Sequence, residues 1–489
     1  MFLPDFNLWA TIHFTALLGL SLYGLHRLWL MFSWRREKQK EDSEKFNISF
    51  LHSGECPFVT VQLPLYNERF VVARLLNAAA QIQWPKDRLE IQILDDSTDD
   101  TKQIVDERVK YWRQKDVAMR VIRRTDRSGF KAGALRHGLS QAAGEFIAVF
   151  DADFLPVSDF LLSSMPHFSD GEIGMVQARW GFLNTQHSWL TGVQSLLLGQ
   201  HFSIEHFVRF RRGLFFNFNG TAGIWRREAI ESAGGWQADT VTEDLDLSYR
   251  AQLEGWRFIY LDNLIVPSEL PVTIGAFRSQ QQRWAKGSIQ TAKKILPGLL
   301  ATSVPFALRK EASAHLLANL CWLLGTVVTL TLYPTILSRT SIGPYQLLRT
   351  DIPLFIFTSA AIFIYFIFYI RIHKQEISLS VFLLLPVLTV GIAPSIALSV
   401  IKGIFSMGGD FHRTPKFGLT GRQGLPSLAF LYYQQSIPYL IMNTMLLIYS
   451  LLPVIFAFRR HTFLAVPFLV IFPLGFALVI FKDLAEIRK

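Results

Sequence analysis

The chain has 489 residues, half of them hydrophobic and 18% charged, with a formal net charge of +10. That balance fits either one large soluble core or a membrane protein carrying a soluble domain, and the distribution along the chain decides between them. Its two cysteines, Cys56 and Cys321, lie too far apart in sequence to suggest a disulfide framework or a zinc cluster. The basic excess suits a domain held against anionic lipid, and since no basic stripe alternates with stacking aromatics, no nucleic-acid partner is expected.

Residues 8 to 32 form an apolar run long enough to cross roughly 30 Å of hydrocarbon. RREKQK follows it and no small-residue cleavage signature appears, so residues 1–34 read as a retained anchor. Arg35, Arg36, Lys38 and Lys40 belong on the cytoplasmic side, which puts the N-terminus outside and the next domain in the cytosol.

Residues 55–305 have ordinary soluble composition. FVTVQLPLY (58–66), EIQILDD (90–96), MRVIRR (119–124) and EFIAVFDAD (145–153) read as strands, with helix-like stretches near 68–82, 101–114 and 131–143. This βαβαβ order predicts an α/β domain with a mainly parallel, Rossmann-like sheet. Ligands bind outside the carboxyl ends of such strands, where the acids of DDSTDD (95–100) and DAD (151–153) both fall.

DAD sets two carboxylates one residue apart, a spacing at which a divalent cation can bridge protein and diphosphate; Mg2+ or Mn2+ suits oxygen ligands. DDSTDD also reads as a turn and helix N-cap, and the two uses are compatible if one acid faces the ligand. TEDLDLSYR (242–250) reads in two ways. Either Thr242 caps a helix whose Leu245, Tyr249 and Leu253 share a face, or Asp244 serves as general base on a sugar hydroxyl. In QQQRW (280–284) an amide, a guanidinium and an indole crowd into one or two helical turns. They suit an interfacial helix, or a site where Arg283 pairs with a diphosphate and Trp284 stacks on a sugar. His201 and His206 are five apart, off the spacing of zinc ligands on one helix face, and read as incidental. The segment 195–216 is expected to face the membrane surface or the acceptor.

Beyond residue 312, apolar blocks lie at about 313–337, 353–370, 378–401, 436–458 and 463–481, the third interrupted by Pro386, Gly391 and Pro394. If that block spans, Lys402, Arg413, Lys416, Arg422, Lys482, Arg488 and Lys489 face outward. If it is interfacial or re-entrant, only Arg459 and Arg460 do. Seven basic residues against two favour the second arrangement: five spans, N-terminus out and C-terminus in.

The motifs PLYNE (64–68), DDSTD (95–99), FKAGAL (130–135), DAD, VQARW (176–180), FNGTAG (218–223), TED (242–244) and QQQRW together resemble the family 2 processive membrane glycosyltransferases. The resemblance is strongest to the cellulose-synthase-like enzymes that make mannan, glucomannan or the glucan backbone of xyloglucan. It implies a GT-A type domain over 55–305 and an α-helical membrane region over 306–489. Tyr66, Glu68 and Asp96, with Asp95 the less favoured of its pair, would hold the nucleotide. Lys131 and Arg283 would lie on the diphosphate, Asp151 on the nucleotide, and Asp153 on the metal. Asp244 would be the base, Trp284 would stack on the acceptor, and Gly220, Thr221 and Glu243 would surround it.

FHRTPK (411–416), within a cytosolic loop near 402–425, resembles the family's substrate-closing loop Phe-x-Val-Thr-x-Lys, with Arg413 in place of valine and Pro415 added. Phe411, Thr414 and Lys416 would then cap the nucleotide; the alternative is a basic loop lying on lipid. The implied reaction is inverting and uses Mg2+ or Mn2+. It passes a hexose from UDP-glucose or GDP-mannose to the non-reducing end of a β-glycan that is translocated across an inner or plasma membrane. Transfer of one sugar to a membrane lipid is the alternative. A transporter or scaffold with an inactive domain is a third reading, opposed by the intact acids at all three clusters.

Overall fold

The computed structural model describes residues 8–41, 56–339, 349, 351, 353–373, 377–410, 413–421 and 437–487. Its centre is a seven-stranded sheet in the order β3-β2-β1-β4-β6-β5-β7. The four expected strands are β1 (Val59–Leu65), β2 (Leu89–Asp95), β3 (Met119–Ile122) and β4 (Phe146–Val149), all parallel. Their near-continuous Val, Ile and Leu runs are buried on both faces, as parallel strands under helices require.

Three strands were not foreseen: β5 (Ile173–Phe182), β6 (Gly223–Arg226) and β7 (Arg257–Ser268). β6 runs antiparallel to both β4 and β5, and β5 is parallel to β7. The reversal matters for the site. Because β6 starts where β4 ends, with Ala222 N–H donating to Val149 O at 2.8 Å, the FNGTAG turn meets DAD at one edge of the sheet. β7 ends at that same edge.

One face of the sheet packs under the helices Val72–Ala79 and Thr101–Arg113. The other face shares a core with the apolar helices, since Ile147, Val149 and Trp225 join one cluster with Tyr365, Leu385 and Val400. The segment 195–216 lies between these two parts: the helix Trp189–Gln200 runs into a π-helical turn, His201–His206, whose Phe202 and Ile204 are buried in that cluster.

Among the described residues, six helices are long and apolar enough to cross a membrane: Leu8–Lys40, Leu320–Ser338, Pro353–Ile372, Leu379–Phe405, Ile437–Arg459 and Phe463–Glu486. Leu379–Phe405 is one unbroken helix through both prolines, about 40 Å long at 1.5 Å per residue, so the expected interruption is absent. Both of its ends meet the sheet domain. A Cβ on Gly192 would lie 3.1 Å from Val381, and Lys293 Nζ donates to Ile404 O at 2.6 Å. Elsewhere the apolar helices pack on one another: Thr335 Oγ1 donates to Trp9 O and the rings of Phe355 and Phe468 are 5.2 Å apart. Leu379–Phe405 thus touches the domain at both of its ends.

The N-terminal helix is keyed to the domain by buried charges. Arg27 pairs with Glu205, Arg209 reaches Glu205 at 3.3 Å and Glu311 at 2.9 Å, and His26 lies 2.8 Å from Glu311. Charge buried beside apolar helices persists where it is paired in this way.

Candidate active site

A cleft of about 1110 Å3, its solvent mouth included, opens along the carboxyl edge of the sheet. Tyr66 and Glu68 enter it from beyond β1, Asp96 from β2, Asp151 and Asp153 from β4, and Gly220 from the turn before β6. The helix Glu243–Leu253 presents Glu243 and Asp244, and the helix Ile274–Ala301 presents Gln280, Arg283 and Trp284. Arg413, Thr414 and Lys416 close the remaining side. Segments more than 300 residues apart in sequence thus meet around one space.

Two expected residues do not line it. Asp95 is buried with its Oδ2 2.9 Å from Arg123 Nε and its Oδ1 accepting from Ser97 N–H. Asp96 faces the cleft and is held by Arg124, Nε to Oδ1 at 3.0 Å. Neighbouring residues on a strand point to opposite faces, so only one of the pair can serve. Thr221 is fully buried, and its Oγ1 accepts from Asp151 N–H at 2.8 Å, which shapes the DAD turn. Phe411 lies outside the described residues, as do Arg422, Arg488 and Lys489. Thr242 makes no side-chain cap; its Oγ1 is 3.4 Å from Thr291 Oγ1, in the space that Gly287 leaves.

Lys131 sits at the centre. Its Nζ is 2.5 Å from Asp151 Oδ1 and 3.9 Å from Glu243 Oε1, and it donates to Gly220 O at 2.8 Å. Burial opposes its charge, but Asp151 and Glu243 outweigh burial and raise its pKa, so it stays cationic. Burial pushes Asp151 up against the pull of Lys131.

Asp244 Oδ1 accepts from Leu245 N–H at 2.8 Å. Its Oδ2 would lie 2.8 Å from a Cβ on Gly220, whose φ of +81° favours glycine. Burial first, then the negative charge of Glu243, lift Asp244 to about 7; Lys131, the Leu245 amide and Arg283 pull the other way. Glu68 is lifted to about 8 by burial, opposed by Arg413.

The loop carries its cations into the acids. Lys416 Nζ is 2.6 Å from Asp153 Oδ2; Arg413 Nε is 3.3 Å from Glu68 Oε1, and its guanidinium donates to Asn67 O. Among the described residues no three acids, histidines or cysteines cluster as a closed metal site. The Asp153 carboxylate, which here binds an ammonium, is an oxygen donor of the kind a hard divalent cation takes.

Sequence reasoning missed Arg127, Asn219 and Glu269, all of which line the cleft. The Arg127 guanidinium lies 3.3 Å from the centroid of the Tyr66 ring. Asn219 is held by His206 Nε2 at 2.6 Å and His201 Nε2 at 3.3 Å, so these histidines are not incidental: they position a cleft residue. Burial, reinforced by Arg209, lowers His206 to about 3 and keeps it neutral. The RRTDR run before FKAGAL was a local signal for Arg127, and Asn219 stands inside the FNGTAG string; Glu269 had none.

The profile of glycosyl transferase family group 2 matches residues 146–397, and that of glycosyl transferase family 2 matches residues 60–231. A probable glucomannan 4-beta-mannosyltransferase 7 from Oryza sativa subsp. japonica is 42% identical over 306 residues, 62% of this chain and 51% of that protein. Glucomannan 4-beta-mannosyltransferase 2 from Arabidopsis thaliana is 47% identical over 251 residues, 50% of this chain and 47% of that protein. The chain therefore spans about half the length of the curated relatives it matches. Among solved structures, the mannosyltransferase PcManGT from Pyrobaculum calidifontis, in complex with GDP-Man and Mn2+, superposes with a TM-score of 0.53 at 21% identity. That alignment covers 76% of this chain and all of the other, and it shows a shared fold. On the matched profile and this architecture, the chain belongs to glycosyl transferase family group 2.

Proposed function

We propose that the protein is an inverting β-glycan synthase that transfers mannose from GDP-mannose to the non-reducing end of a growing β-mannan or glucomannan chain. One observation carries the reading: Asp153, Lys131, Asp244, Arg283 and Trp284, drawn from four separate segments, line a single cleft. The relatives' mannosyltransferase names support the donor sugar.

In this reading Tyr66, Glu68 and Asp96 bind the nucleoside and Asp151 its phosphate end. Asp153 holds Mg2+ or Mn2+, which when bound supplies positive charge to the diphosphate as it leaves. Lys131 and Arg283 stabilise the same developing charge from fixed positions, which is where most of the rate enhancement arises. Trp284 stacks on the acceptor sugar beside Gly220 and Glu243. The carboxylate of Asp244, poised near neutrality, takes the proton from the acceptor hydroxyl as that oxygen attacks the anomeric carbon from the face opposite the diphosphate. An α-linked donor therefore yields a β-linked product. Thr414 and Lys416 cap the nucleotide.

The sheet domain faces the cytosol, at the basic end of the first helix. Five helices cross an inner or plasma membrane, Leu379–Phe405 lies along the domain, and the loop after it returns to the cleft. The test is incubation of the purified protein with GDP-mannose or UDP-glucose plus Mn2+ or Mg2+, followed by sizing and linkage analysis. High-mass β-linked polymer is expected, and Asp244→Asn should bind GDP-mannose as wild type does while making none. An organic-extractable glycolipid would favour single transfer to lipid, and substantial polymer from Asp244→Asn would remove that residue as the base.

A further inference from the structure

One buried carboxylate in the cleft wall has no part in that mechanism. Glu269 follows β7 and is 2% exposed. Its Oε1 accepts from Phe417 N–H at 2.8 Å, and its Oε2 from Gly418 N–H at 2.9 Å and Leu419 N–H at 3.0 Å. Three successive amides turned on one anion form a nest. Gly418 supplies the left-handed φ of +76° for that curve, and a Cβ there would come 2.7 Å from Phe70 O. Arg74 Nη2, 2.9 Å from Oε2, keeps the carboxylate aimed at the loop.

The backbone of the same residue reaches the other way. Its carbonyl accepts from Lys416 Nζ, and its N–H lies 3.4 Å from Asp153 Oδ2. Phe417 and Leu419 seat the loop with Phe70 and Val272. One residue thus binds the loop's backbone, its lysine and the acid that the lysine covers.

We infer that Glu269 is a positioning residue for transfer: it anchors loop 413–419 as the lid of the donor site, so that Arg413, Thr414 and Lys416 arrive in register with Glu68 and Asp153. The inference rests on the reading of this loop as a donor lid. It places the effect of Glu269 in donor binding and leaves the chemical step to Asp244.

The test uses the whole chain in detergent or lipid discs, with Glu269→Gln, Glu269→Asp and Arg74→Met. In Glu269→Gln an NH2 group faces the loop amides, so KM for GDP-mannose with Mn2+ should rise by roughly tenfold or more while kcat changes less than about threefold. Glu269→Asp keeps the charge and should recover part of the loss, and Arg74→Met should shift KM in the same direction by less. Trypsin cleavage after Arg413 should be slow in the wild type and fast in Glu269→Gln, at an unchanged melting temperature. Unchanged KM and trypsin pattern, a loss confined to kcat, or a lowered melting temperature without the KM-against-kcat split would overturn the inference. If the wild type neither binds GDP-mannose nor uses any sugar nucleotide, the functional reading fails instead; the trypsin comparison without nucleotide still decides whether Glu269 anchors the loop.

Discussion

Replacing Asp244 with Asn removes a carboxyl group that burial and the adjacent Glu243 raise from 3.8 to about 7. In the unfolded chain the group titrates near 3.9, so between these values the folded protein holds the proton more tightly, and stability falls as pH rises from about 4 to about 7. At about 1.4 kcal/mol per pH unit the gap amounts to at most ~4 kcal/mol at pH 8. Asn carries no such cost. Asp244→Asn should therefore melt near the wild-type temperature at about pH 4.5 and above it at about pH 8, with the difference growing between. In the mechanism proposed above catalysis runs in the opposite sense, because Asp244 as base must be deprotonated: wild-type kcat/KM should fall as pH drops through about 7, approaching tenfold per unit. The assay pairs thermal unfolding of both proteins across this range with initial rates from labelled GDP-mannose. A wild-type rate that is flat from about pH 5.5 to 8, or a stability difference that is constant with pH, would refute Asp244 as a buried, titrating base.

Gly220→Ala places a methyl 2.8 Å from Asp244 Oδ2 at a φ of +81°. It should cost about 1–2 kcal/mol of backbone strain and displace the base, lowering kcat by roughly a hundredfold with the Kd for GDP unchanged, as single-turnover rates and nucleotide titration would show. Arg27→Leu leaves Glu205 short of a cation in a buried site and should destabilise the protein by about 3 kcal/mol. Pairing it with Glu205→Leu should recover part of that loss in a thermal double-mutant cycle; additive losses would show that the pair is not coupled.

The half of the fold built from β1 to β4 was legible because strands buried on both faces write continuous apolar runs that end in acids. The rest was not. β6 has only four residues, and its reversal is set by pairing with β4 and β5, which no local period records. At the site, the sequence marked the acids, Lys131 and the Arg283–Trp284 pair, since each stands in a short, unusual string. It did not mark Glu269, whose partner lies 148 positions away, nor the support that His206 gives Asn219 from 13 positions off, nor the buried pairing of Arg27 with Glu205, 178 positions off. The Asp95–Asp96 choice was open to argument from strand alternation, but which face points to the cleft depends on the assembled sheet. The charge count favoured five crossings although the prolines do not break the helix Leu379–Phe405. That helix is among the six long and apolar enough to cross, and both of its ends contact the domain.

The last apolar helix ends on the helix that carries Arg283 and Trp284. Glu486 Oε1 accepts from Ile274 N–H at 2.6 Å across 212 positions, and Asp483 pairs with Arg278 at 2.9 Å. Free amides at a helix start need such an anion. The acids of the cleft thus precede by more than 200 positions in the chain the two carboxylates that hold the start of the helix carrying Arg283.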